Sequence, residues 1–238
     1  MNKKTIQLLG ILFVIVLIAV GLSKASKHSG AVAQAGLPAV TASDWSKGPE
    51  TAVLTIIEYG DYQCPACGVW HPLVEKMMKE EEGKVRLVFR NFPLSQLHPN
   101  ALAAAHAAEA AGAQGKYWEM HNMLFENQEE WTPQTEPTSK FEAYATKIGL
   151  DLAKFDADMK SDAIGKKISS DYAGGAKVGI QGTPTFFLNG EKLDNTTIHG
   201  YDDFKKQVDA AYTKANEASK SHISTSTTEI DPEKATQE

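Results

Sequence analysis

Two short apolar runs with a helical stretch between them restrict this chain more than any other feature. Residues 52–59, AVLTIIEY, are nearly all apolar and rich in β-branched side chains, as a strand covered on both faces must be. Residues 85–89, VRLVF, have the same character. Between them CPACGVWHPLVEKMMKEEEG reads as a helix. Pro65 sits where the first turn tolerates it, Pro72 is expected to bend it, and Gly83 to close it. A strand–helix–strand unit of this length pairs its strands in parallel through a right-handed crossover. The expected fold class is therefore α/β.

After Pro99 the signals turn helical and stay so to about Val178. Residues 101–113, ALAAAHAAEAAGA, carry nine alanines in thirteen positions. Ser139 and Glu142 have the spacing of a capping box, with Phe141, Tyr144, Ala145 and Ile148 on one face and Gly149 as the stop. Leu152, Phe155 and Met159 form a further stripe, and Ile164 with Ile168 another. Then TFFL at residues 185–188 reads as a strand, and Asn189-Gly190 as a hairpin turn. Asp202 is placed to cap a last helix carrying Phe204, Val208 and Tyr212. The helical stretch is thus an insertion of about eighty residues (99–178) inside an α/β domain.

The ends differ from this centre. Residues 5–22, TIQLLGILFVIVLIAVGL, hold 18 positions without a charge. As a helix they extend roughly 27 Å, close to the roughly 30 Å of a hydrocarbon core. They read as a transmembrane anchor, or as a signal peptide cut near Ser23 and Ala25 or at a later alanine. Either route places the rest of the chain outside the cytoplasm. Residues 23–43 are small and polar, as in a tether, and residues 213–238 are polar and poor in large apolar side chains, as in a disordered tail. The domain proper is expected over residues 44–212. A net charge of −6 without clustered Lys and Arg excludes a nucleic-acid partner.

Cys64 and Cys67 are the only two cysteines. Cys64 follows a strand and opens a helix, where unpaired N–H groups and the helix dipole stabilise a thiolate. Cys67 lies one turn later on the same face, more buried. One exposed low-pKa thiol with a second thiol in reach is what disulfide exchange needs: a thiolate attacks a disulfide, a mixed disulfide forms, and the second thiol resolves it. A zinc site would need two further ligands, and the seven histidines show no ligand spacing, which leaves only a site shared across a dimer. A purely structural disulfide closing so small a loop would stabilise weakly. No metal, flavin or nucleotide cofactor is indicated.

Three stretches then carry a resemblance. EYGDYQCPACGVWHP, FRNFPLSQLHPNALAAAHAAEAAGAQGKYWEMHNMLFENQ and VGIQGTPTFFLNG, in that order, resemble the DsbA-like branch of the thioredoxin superfamily, over about residues 44–212. The resemblance implies a thioredoxin fold with an inserted helical subdomain. It also implies that Pro184 is cis beside the two sulfurs, with the Thr183 backbone free to pair with an extended substrate; outside that motif, Thr-Pro would read as an ordinary trans turn. Glu58, six residues before Cys64, matches a buried acid under Cys67 that relays its proton, although a strand-end glutamate can also simply reach solvent. His98 and Asn100 stand where they could edge the site or cap a helix. His106 and His121, with Trp70, Trp118 and Phe125, read as packing residues. One departure stands out: the strongest oxidants of this branch carry His between the cysteines, and this chain has Pro65-Ala66.

The expected function is an extracytoplasmic thiol:disulfide oxidoreductase that donates its Cys64–Cys67 disulfide to reduced or misoxidised secreted proteins. The resemblance implies reoxidation by a quinone-linked membrane protein, DsbB-like or vitamin K epoxide reductase-like. A reductase or isomerase is the nearest alternative. A peptide-binding holdase with a vestigial cysteine pair, and a tether presenting the domain to a membrane complex, are alternatives of a different class.

Overall fold

The computed structural model describes residues 36–226; the apolar N-terminal segment, most of the expected tether and residues 227–238 lie outside it. In chain order its strands are β1 (Trp45–Lys47), β2 (Leu54–Gly60), β3 (Val85–Asn91), β4 (Thr185–Leu188) and β5 (Glu191–Lys192). Helix α1 (Pro65–Glu80) joins β2 to β3. The insertion holds α2 (Ala101–Gly112), α3 (Tyr117–Glu126), α4 (Gln128–Trp131), α5 (Thr138–Lys147), α6 (Leu152–Asp158) and α7 (Asp162–Lys177). Helix α8 (Tyr201–Ser226) follows β5 and a short 3-10 turn. Among the described residues no helix is long and apolar enough to cross a membrane.

The sheet runs in the order β1-β3-β2-β4-β5. β2 and β3 are parallel, as the crossover requires, and the other neighbours are antiparallel. Alternation along β2 sends Leu54 and Ile56 to one face, where Val74 and Met77 of α1 and Phe204 and Val208 of α8 cover them. Ile57 and Tyr59 face the other way, against Val88, Phe92, Ile180 and Phe187. Glu58 shares the parity of Leu54 and Ile56, so it lies on the α1 face. The helical insertion has its own core around Trp131, Phe141 and Phe155, and that core reaches Phe89, Tyr62 and both cysteines. This thioredoxin-fold sheet with a helical insertion agrees with the sequence reading. So does the Asn189-Gly190 turn, whose φ values are +46° and +86°.

Four details differ. β1 has no sequence signal, because three residues carry no period; it is an edge strand whose Trp45 stacks on Tyr117 at 4.7 Å. The end of the expected tether is part of the fold. Leu37 is buried, and the carbonyls of Pro38 and Ala39 accept hydrogen bonds from the Arg90 guanidinium at 3.0 Å each. Composition conceals this, because the partners used are backbone carbonyls. Helix α8 runs past Tyr212 to Ser226: once its first half is packed, continuing through Lys, Ala and Glu costs only propagation. At the helix starts, Pro137 rather than Ser139 opens α5, and Asp203 rather than Asp202 accepts the His199 N–H at 3.0 Å.

Candidate active site

Cys64 is the N-cap of α1, extended at φ −67°, ψ 122°, with Pro65 as the first helical residue. The turn before it is built by Asp61. Its carbonyl accepts the Cys64 N–H at 3.1 Å, and its carboxylate accepts the Gln63 N–H at 2.8 Å. The other carboxylate oxygen takes the Leu94 N–H at 2.9 Å and meets His98 Nδ1 at 2.7 Å. His98 therefore reaches the site only through Asp61. Asn100 joins the same turn, its N–H donating to Gln63 Oε1 at 2.6 Å.

Both thiols are free. Cys67 has no exposed surface and Cys64 is 7% exposed, less open than disulfide exchange led the sequence reading to expect. The loop at the start of β4 covers it. Thr183-Pro184 is a cis peptide, and the Cys64 thiol donates to the Thr183 carbonyl at 3.4 Å. The Thr183 hydroxyl is buried with no hydrogen-bond partner, and its side chain helps to lower the Cys64 pKa. Next to this loop lies an open groove of about 540 Å³, lined by Gln181, Gly182, Thr183, Pro184, Leu193 and Thr196 among others.

The two sulfurs are held in opposite states. The Cys67 thiol donates to Cys64 and is the largest cause of a Cys64 pKa near 5; burial opposes it, and the Thr183 hydroxyl with the N–H groups of Cys67 and Ala66 assists. Burial pushes Cys67 well up, and its neighbour Cys64 adds to that. Glu58 is 3% exposed, and burial, then the charge of Glu75, raises it to about 8. Its charge also lifts Cys67, so the two groups sense each other. Cys64, Cys67, Glu58, Thr183 and Pro184 are thus brought to one place.

Other expected residues fall elsewhere. His121 is buried against Phe89, Trp118 and Phe125, its Nδ1 at 3.0 Å from the Tyr62 hydroxyl, and burial keeps it well below its usual pKa. His106 packs beside Gly165 of α7. Trp70 packs on Phe186 and Phe204. Asp61 and Gln128 are site residues that no sequence pattern singles out as such. Asp61 two residues before Gln63 is a recognisable side-chain-to-backbone turn. Gln128 carries no local signal at all. Among the described residues no three His, Cys, Asp or Glu side chains stand together as metal ligands would.

Residues 41–210 match the sequence profile of a family described as thioredoxin. Over 217 residues the chain is 30% identical to a probable disulfide bond formation protein D of Bacillus cereus, covering 88% of this chain and 98% of that protein. It is 39% identical over 149 residues to the Na(+)/H(+) antiporter NhaA 1 of Salinispora arenicola, 63% of this chain but only 22% of the antiporter. The chain therefore spans about a fifth of the length of that relative. A solved thioredoxin-like oxidoreductase from Silicibacter pomeroyi superposes with a TM-score of 0.61 at 26% identity, over 73% of this chain and 94% of that one.

Proposed function

Because the chain belongs to the thioredoxin family, we propose that it is a thiol:disulfide oxidoreductase in which Cys64 and Cys67 are the reacting pair. The observation that carries this reading is the asymmetry of the pair: an ionisable thiol at a helix start, backed by a fully buried one that keeps its proton. In the donating direction, a substrate thiolate attacks Cys64 Sγ of the Cys64–Cys67 disulfide. The S–S bond breaks, Cys67 leaves with the electron pair, and Glu58 supplies its proton. A second substrate thiolate then attacks the substrate sulfur of the mixed disulfide and expels Cys64, a good leaving group at a pKa near 5. Two substrate thiols become a disulfide, and the protein's disulfide becomes two thiols. Thr183 and Pro184 border the groove in which an extended substrate segment lies, the Thr183 backbone facing it.

The apolar residues 5–22 support an extracytoplasmic domain, over about residues 37–226, behind an anchor or signal. Its substrates are then reduced or misoxidised secreted proteins. The pair must be reoxidised, because two cysteines cannot pass electrons onward; a quinone-linked membrane protein, DsbB-like or vitamin K epoxide reductase-like, fits that need. The test is oxidation of a reduced, unfolded disulfide-bonded protein by the oxidised full-length chain. Cys64→Ser and Cys67→Ser each abolish turnover, because neither can hold the disulfide; challenged instead with an oxidised substrate, Cys67→Ser keeps the mixed disulfide that Cys64 forms and Cys67 would resolve. If the double variant still prevents the test protein from aggregating while wild type forms no disulfides, the chain is a holdase instead.

A further inference from the structure

Helix α4 and the turn after it touch the active site through a set of amides that the exchange chemistry does not itself use. Gln128 Nε2 donates to two backbone carbonyls, Tyr62 O at 2.7 Å and Cys64 O at 2.9 Å. Of the two amide atoms only the nitrogen can stand there, since it has two N–H groups to give and both neighbours are acceptors. The Cys64 carbonyl also accepts the Gly68 N–H at 3.1 Å, so it is held from two sides. Gln63 Nε2 reaches Thr132 O at 3.2 Å, and Asn100 Nδ2 reaches Gln134 O at 2.7 Å. The segment giving these contacts is itself fixed: Trp131 is fully buried, packs edge-on against Phe141 and donates to Leu124 O at 2.8 Å.

Gly68 makes room for this arrangement. A Cβ there would lie 2.5 Å from Gln128 Oε1 and 3.2 Å from its Nε2. Any side chain on this inner turn of α1 would push the Gln128 amide off the two carbonyls. A mid-helix glycine costs about 1 kcal/mol relative to alanine, so this one is kept against the helix's own preference.

We infer that Gln128 is a positioning residue that sets the reactivity of Cys64, clamping the active-site turn to the helical insertion through the space left by Gly68. The inference rests on the disulfide-exchange reading of the cysteine pair. Two effects act in the same direction. The amide fixes the Cys64 carbonyl, hence its extended ψ of 122°, and that angle aims the N–H groups of Ala66 and Cys67 at the sulfur. The amide's positive end also lies against the Cys64 carbonyl, 2.9 Å away, and offsets that carbonyl's negative charge near the thiolate. Losing the clamp loosens the first and removes the second, so the thiolate is stabilised less.

The experiment compares full-length wild type, Gln128→Ala, Gly68→Ala and the double variant. Its readouts are the pH titration of the Cys64 thiolate by ultraviolet absorbance, the equilibrium with glutathione, and thermal unfolding. Gln128→Ala is expected to raise the Cys64 pKa by about one unit. The equilibrium should shift about tenfold toward the disulfide, about 30 mV more reducing. Gly68→Ala deletes no group and adds a better helix former, yet it should give the same shifts, and the double variant no more than either single. If both singles titrate like wild type while Gln128→Ala merely melts earlier, Gln128 is only structural and the inference fails. If Gln128→Ala does not fold, Gly68→Ala decides alone. A wild type that titrates normally but does not equilibrate with glutathione overturns the exchange reading and leaves the clamp to be judged on the titration.

Discussion

Replacing Glu58 by Gln keeps its shape and removes its ionisation, and the consequences can be worked from its surroundings. The carboxyl is 3% exposed, and the causes of its shift are burial and the charge of Glu75. Burial raises its pKa from 4.5 to about 8. Folded, it therefore keeps a proton that the unfolded chain releases. Between pH 4.5 and pH 8 the folded state binds more protons, so stability is fully present below pH 4.5 and is lost as pH rises toward 8. Each unit is worth 1.36 kcal/mol. From pH 4.5 to pH 7 the wild type should lose about 3 kcal/mol relative to Glu58→Gln, and about 4 kcal/mol by pH 9.

The assay is denaturant unfolding of both proteins, kept reduced, at pH 4.5, 7 and 9. The difference in unfolding free energy should widen in favour of Glu58→Gln as pH rises. A difference that stays flat across that range would mean the carboxylate is already ionised and hydrated at neutral pH, and the argument for a proton held near Cys67 would collapse. In the same variant, the exchange step in which Cys67 leaves should slow on the order of 10²-fold, the usual worth of a positioned proton donor.

Three further outcomes are expected. Cys67→Ala removes the largest cause of the low Cys64 pKa and should raise it, read from the pH dependence of alkylation; an unchanged midpoint would assign the stabilisation to Thr183 and the backbone alone. Asp44→Ala leaves the Arg90 guanidinium buried without its bidentate partner, at 2.8 and 3.1 Å, and should cost about 3–5 kcal/mol in chemical denaturation. Asn189→Ala loses the bonds to Thr55 N–H at 2.7 Å and Val53 O at 3.0 Å and strains a φ of +46°, for about 2 kcal/mol. Asn189→Gly relieves the strain and should cost less; equal costs would place the whole effect in the hydrogen bonds.

What was legible in the sequence was what is local. The apolar runs of β2 and β3, the proline at the start of α1, the Asn189-Gly190 turn and the Cys64–Cys67 spacing each signal their role within a few residues. Glu58 could be found because it stands six residues before Cys64, where the resemblance implies a buried acid, on an otherwise apolar strand. Gln128 could not: it acts 64 residues from the carbonyl it holds, and nothing around it in sequence distinguishes it from a helix-surface glutamine. The docking of residues 37–44 was hidden for a related reason. Its anchor is Arg90, about fifty residues later, and it binds main-chain carbonyls that have no sequence signature. Polar composition alone read as tether, because a buried ion pair uses the same residue types as a solvated one.

The absence of His between the cysteines casts doubt on a strongly oxidising pair, and the site geometry bounds how oxidising it can be. Most of what lowers the Cys64 pKa comes from groups that Ala66 does not alter: the Cys67 thiol, the Thr183 hydroxyl and two backbone N–H groups. Thioredoxin, with a thiol pKa near 7, has a potential of about −270 mV, and DsbA, near 3.5, about −120 mV. Counting up from thioredoxin at about 30 mV per unit, a pKa of about 5 gives roughly −210 mV; interpolating between the two proteins gives roughly −185 mV. The expected potential is about −200 mV, read by thiol alkylation of the full-length chain equilibrated with glutathione. A value near −120 mV would require stabilisation of the reduced state that these contacts do not contain. A value near −270 mV would mean the thiolate is stabilised no more than thioredoxin's. At about −200 mV, donation to a reduced protein whose structural disulfide lies below about −300 mV would run downhill by about 100 mV, or about 4–5 kcal/mol. The pair then needs no stronger thiolate to act as a donor, only a partner able to draw its electrons away.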